Sequence, residues 1–154
     1  MLSRQERKQL NTEFYSALGL MMQGDFSATG RRLKWTNYKT GVKDVYLRME
    51  ADGKGARIAI DLQHRDPGIR GLFWEQFGEV KLLLQSELGE ELIWHEEYTR
   101  TDGTVISRIE KRLDEGNLFD KTTWPVLLPF LKENLLAFDR FWGDVFDIFK
   151  NLEA

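Results

Sequence analysis

Four residues have the types and spacing to hold a divalent cation. Asp61 and Gln63 stand two apart in Arg57-Ile58-Ala59-Ile60-Asp61-Leu62-Gln63, so a β-strand there puts both side chains on one face. Asp44 and Glu50 lie in the preceding alternating segment, which would form the neighbouring strand. Carboxylates on adjacent strands can hold Mg²⁺, and a cation two residues beyond the second acid can position and activate an attacking water. Gln63 occupies that last position, and a neutral amide cannot supply the charge. A metal-dependent hydrolase of this design would therefore be a divergent one.

The only two histidines give a second constellation. His95-x-Glu97 would share a strand face, as a two-point metal grip or an acid–base pair, with Glu110 as a third group from a neighbouring strand. His64 stands at the end of the Arg57–Gln63 strand beside Arg65 and Asp66. Neither histidine has a recognised metal spacing, and both read as surface polar residues.

A third constellation concerns binding. Three strands over residues 31–39, 42–50 and 57–63 would present Arg32, Lys34, Tyr38, Tyr46, Arg48 and Arg57 on one outer face. Cations interleaved with aromatics suit single-stranded nucleic acid, which asks for phosphate contacts and stacking platforms. Asp44, Glu50 and Asp61 fall on the same face and oppose it.

The elements that must position these residues are legible as local patterns. Ser3-x-x-Glu6 is a capping box that starts a helix at Arg4, with Leu10, Phe14, Ala17, Leu18 and Met21 in a stripe and Gly24 as a stop. Val45, Leu47 and Met49 point inward along the second strand, and Ile58, Ile60 and Leu62 along the third. Asp52-Gly53-Lys54-Gly55 is a hairpin turn between them. Asp66-Pro67-Gly68 turns the chain into a helix whose apolar face carries Leu72, Phe73, Phe77, Val80, Leu84 and Leu88 and which ends at Gly89. Residues 92–99 and 104–112 are two further strands about an Asp102-Gly103 turn. The last helix follows Thr122-Thr123, with Pro125 near its first turn and Pro129 either kinking or delaying it.

These elements predict one α+β domain over residues 1–154: a mainly antiparallel five-stranded sheet, in the order α-βββ-α-ββ-α, packed against helices. The last helix carries more apolar residues than one buried face needs, among them Phe138, Phe141, Trp142 and Phe149. It is either covered on two sides or forms a homodimer or partner-protein interface.

Composition bounds the function classes. With 42% hydrophobic and 31% charged residues the chain falls among ordinary soluble globular proteins. The absence of cysteine excludes thiol catalysis, disulfides and cysteine-ligated zinc, and fits a cytoplasmic setting. No secretory leader and no apolar run of membrane-spanning length is present. Phosphate-cradling glycine loops and Gly-x-Ser-x-Gly elbows are also missing. Residues 1–65 hold 12 Lys/Arg against 7 Asp/Glu, and residues 66–154 hold 10 against 18. Such asymmetry marks either a basic binding surface or two halves that neutralise each other.

Ile58-Ala59-Ile60-Asp61-Leu62, the aromatic-bearing helix from Phe73 to Leu88, and Leu88-Gly89-Glu90-Glu91-Leu92-Ile93-Trp94 together resemble domain-of-unknown-function family 4268 of bacteria and archaea. Ile106-Ser107-Arg108-Ile109 and the aromatic last helix extend the resemblance over most of the chain. Members occur as small stand-alone proteins or behind a nuclease-like domain, so the resemblance implies nucleic-acid-linked work and carries no catalytic residue over. The expectation is a non-catalytic binding or accessory module for nucleic acid or a protein partner, with no cofactor. A divergent Mg²⁺-dependent nuclease of the restriction-endonuclease type and a structural homo-oligomer are the alternatives.

Overall fold

The computed structural model describes residues 1–30 and 33–153. Helix α1 (Arg4–Met21) begins at the expected capping box: the Ser3 hydroxyl accepts from the Glu6 backbone, and the Glu6 side chain accepts from the Ser3 backbone. The hairpin of β1 (Val45–Asp52) and β2 (Gly55–Leu62) follows. Gly55 has a φ of 146° and a Cβ there would collide with the Leu113 carbonyl, so the tight turn needs glycine. Helices α2 (Pro67–Glu79) and α3 (Lys81–Leu88) lead to the hairpin of β3 (Ile93–Thr99) and β4 (Val105–Leu113). Helix α4 (Trp124–Glu153) closes the chain. The sheet has the order β1-β2-β4-β3 and is antiparallel throughout.

Among the described residues the sheet has four strands, not five. Of the segment read as a first strand over residues 31–39, residues 31 and 32 lie outside the described residues, and the rest carries a short 3₁₀ turn, Trp35–Asn37. Its alternation of large and polar residues serves docking instead. Trp35 is buried with its indole donating to the Asp25 carbonyl at 3.2 Å, and Tyr38 packs edge-on against Phe138. The long helix expected over residues 72–88 starts earlier and is broken. Asp66 is its N-cap, accepting from Gly68 and Ile69, and Pro67 its first residue. The chain bends at Val80, which closes α2 and opens α3. Phe73, Phe77, Val80, Leu84 and Leu88 face the core as expected, whereas Leu72 is exposed.

All four helices pack on one side of the sheet, over Val45, Leu47, Ile58, Ile60, Leu62 and Ile109. Helix α4 runs through Pro129 without ending and is the centre of the core. Phe138, Phe141, Trp142 and Phe149, expected at a homodimer interface, are all buried within the chain. The width of the stripe is explained by the number of its neighbours: α4 contacts β2 of the sheet and also α1, α2 and α3. No helix among the described residues is long and apolar enough to cross a membrane.

Candidate functional site

The sheet face opposite the helices carries the polar residues that alternate with the core positions. From β1 it receives Tyr46, Arg48 and Glu50; from β2, Arg57, Ala59 and Asp61; from β4, Arg108, Glu110 and Arg112. β3 contributes Ile93, His95 and Tyr98. A bulge between His95 and Tyr98 sets the last two on the same side, so Tyr98 and not Glu97 is the neighbour of His95. The Ser107 hydroxyl, donating to the Glu96 carbonyl at 2.6 Å, pins the bulge.

An ion-pair network lies beneath this surface. Arg108 grips Asp61 through two parallel bonds, Nε to Oδ1 at 2.8 Å and Nη2 to Oδ2 at 3.0 Å. Asp61 is 1% exposed and Arg108 7%, so Asp61 is not the exposed sheet-surface residue that the alternation predicts. Its face is the expected one, but Arg108 covers it and Tyr98 in turn stacks on the guanidinium at 4.3 Å. Burial alone would make the guanidinium easier to deprotonate; the Asp61 bond and its charge outweigh that and raise the Arg108 pKa. Glu110, also buried, accepts at 3.3 Å from His95 Nε2 when that nitrogen is protonated and lies 3.9 Å from Arg108. Arg57 is held by Glu50 and Asp52.

These pairs leave Arg48 as the cation on the face that makes no ion pair among the described residues. Its guanidinium lies 4.3 Å over the exposed Tyr46 ring. Among the described residues, the ion pairs that cross between the two halves of the chain, Glu13–Lys121, Asp25–Lys132 and Asp61–Arg108, join acids of the first half to bases of the second.

The predicted binding residues separate into two groups. Tyr46, Arg48 and Arg57 share the open face. Tyr38 does not: its hydroxyl donates to Asp139 at 2.6 Å on the helical side. Lys34 is the residue before the 3₁₀ turn and belongs to no strand. Arg32 lies outside the described residues.

The four nuclease candidates are not brought together. Asp61 is spent on Arg108, and Glu50 on Arg57 at the far end of β1. Asp44 sits in the left-handed region at φ 64° before β1, its carbonyl accepting from the Gln63 amide at 2.8 Å. Asp44 and Gln63 line a common pocket. Among the described residues no three His, Asp or Glu side chains are grouped so as to hold a metal ion.

That pocket also holds His64, which is not a surface residue. It is 6% exposed, lies 4.3 Å from the Phe73 ring, and neither ring nitrogen has a partner among the described residues. Desolvation, with a smaller opposing pull from Asp44, lowers its pKa below the usual histidine value. Between the lowered folded pKa and the unfolded value near 6.5, the unfolded chain binds more protons, so stability falls as pH drops through that window. Denaturant unfolding between pH 7 and pH 5 is expected to show this loss, and His64→Phe to flatten it; equal slopes for the two proteins would contradict the assignment.

A family model described as a domain of unknown function (DUF4268) matches residues 10–146. No curated protein and no solved structure matches the chain.

Proposed function

The chain belongs to the DUF4268 domain-of-unknown-function family, and on that footing we propose that it is a non-catalytic binding module whose uncovered sheet face takes single-stranded nucleic acid. The observation that carries this reading is the pairing of Arg48 with Tyr46 on a face that no helix among the described residues covers. An exposed ring already backed by a guanidinium is a stacking platform with a phosphate contact beside it. Tyr98 and His95, 5.3 Å apart, offer a second aromatic position across the sheet. The carboxylates that would repel phosphate are engaged: Asp61 and Glu110 are buried under Arg108, and Glu50 and Asp52 hold Arg57.

Stacking on one ring is worth about 1–3 kcal/mol, and each phosphate contact on a single strand steepens the salt dependence by roughly 0.7 in log–log slope. Fluorescence anisotropy with a labelled single-stranded oligonucleotide is the test. Affinity is expected to fall with salt, and Arg48→Glu to weaken binding about ten-fold or more while making the salt slope shallower. Absent or salt-independent binding, or an Arg48→Glu protein that binds like the parent, overturns the reading.

A further inference from the structure

The sheet has two edges, β1 and β3, and they are finished differently. β3 is interrupted by its bulge, where Glu96 and Glu97 are exposed. Irregularity and charge are common protections of an edge against pairing. β1 keeps unbroken register with β2 over all of its length.

The hairpin fixes which backbone groups of β1 face outward. A two-residue turn makes Asp52 and Gly55 a hydrogen-bonded pair, so Glu50, Arg48 and Tyr46 bond to β2 while Ala51, Met49, Leu47 and Val45 turn away from it. Contacts at both ends agree with this parity. The Ala51 amide donates to the Tyr15 hydroxyl at 3.0 Å. The Val45 carbonyl accepts from the Thr40 hydroxyl at 2.7 Å, and the Val45 amide donates to the Val42 carbonyl. Between these capped ends, Leu47 and Met49 have no partner on the outer side among the described residues. They leave two donors and two acceptors in a row.

A groove of about 970 Å³ runs beside this stretch, with Leu135 and Tyr15 in its lining and the Trp35–Thr40 segment along its other side. Lys39 and Arg48 also line the groove, and neither makes an ion pair among the described residues.

We infer that the outer edge of β1 takes an extended peptide segment of a partner protein as a fifth strand, hydrogen-bonded to Leu47 and Met49, with acidic side chains toward Lys39 and Arg48. Alternating donors and acceptors at a two-residue period are the complement of an extended polypeptide backbone. A DNA backbone carries acceptors only and would leave the Leu47 and Met49 carbonyls unmet.

The probe is a set of labelled peptides of about six residues, each alternating Glu with one apolar residue (Val, Ile, Leu or Phe). Binding is followed by anisotropy, and the Leu47 and Met49 amides by hydrogen exchange in the intact chain. At least one peptide is expected to bind and to slow exchange at both amides. N-methylation of alternate peptide amides is expected to abolish binding in one register and spare it in the other. Met49→Pro removes an outward donor and leaves the β2 ladder intact, and is expected to weaken binding about ten-fold or more. Should that variant fail to fold, the N-methylated peptides make the same distinction on the parent protein. Three outcomes overturn the proposal: no binding up to about 1 mM, binding indifferent to N-methylation register, or concentration-dependent protection of Leu47 and Met49 without peptide, which would place a second copy on the edge.

Discussion

Asp61→Ala is expected to cost about 3–5 kcal/mol in urea denaturation, because it strands a guanidinium that is almost wholly removed from water. Arg108 donates twice to Asp61 and is covered by Tyr98. Its remaining acidic neighbour, Glu110, is at 3.9 Å and also contacts His95, so it cannot replace the lost bonds. The asymmetry of buried pairs supplies a sharper check. Replacing both partners with apolar residues removes the unpaired charge along with the attraction, so Asp61→Leu with Arg108→Leu is expected to recover most of the loss. Recovery stays incomplete where Glu110 loses its cationic neighbour. A single Asp61→Ala that costs under about 1 kcal/mol would mean that Arg108 reaches solvent, contrary to its burial.

Phe77→Ala is expected to cost a similar 3–5 kcal/mol, for a different reason. The ring is fully buried between α2 and α4, with centroids 4.3 Å from Phe149, 6.3 Å from Phe141 and 6.4 Å from Trp142. Removing it leaves a cavity walled by large rings that cannot collapse without leaving their own contacts. Leu82→Ala is the matched control: Leu82 is 81% exposed on α3, and truncation there is expected to change stability by less than about 0.5 kcal/mol. Thermal or urea unfolding of the two variants separates core from surface. Comparable effects at both positions would contradict the packing of α2 on α4.

The features legible in the sequence are those set by neighbours in the chain. The Ser3–Glu6 capping box, the Asp52–Gly55 turn and the inward set Val45, Leu47, Ile58, Ile60 and Leu62 depend on local spacing and pleat. Residues 31–39 alternate as well as a strand does, but alternation does not say whether a sheet edge is available to pair with. There Trp35 and Tyr38 find partners in Asp25 and Asp139 instead.

The candidate site was legible in part for the same reason. Tyr46, Arg48 and Arg57 follow from alternation alone. Tyr98 does not, because a bulge that moves it beside His95 has no fixed residue signature. Asp61 could be placed on the outer face, yet its burial depends on Arg108, 47 positions away. An acid within an apolar strand was the available signal, and a basic residue in the partnering strand was the feature to seek. His64, a polar residue at a strand end, reads as surface from local spacing, and only the fold brings Phe73 over it.

A single-stranded nucleic-acid surface on the sheet face must respond to its ligand at the residues that form it. Titration of the isotopically labelled chain with a single-stranded oligonucleotide, followed by amide and aromatic NMR shifts, tests it. The largest salt-sensitive changes are predicted at Tyr46, Arg48, His95 and Tyr98. Saturating oligonucleotide that leaves those resonances in place, or shifts only the helical side around Ile69, Leu82 and Leu83, would contradict it.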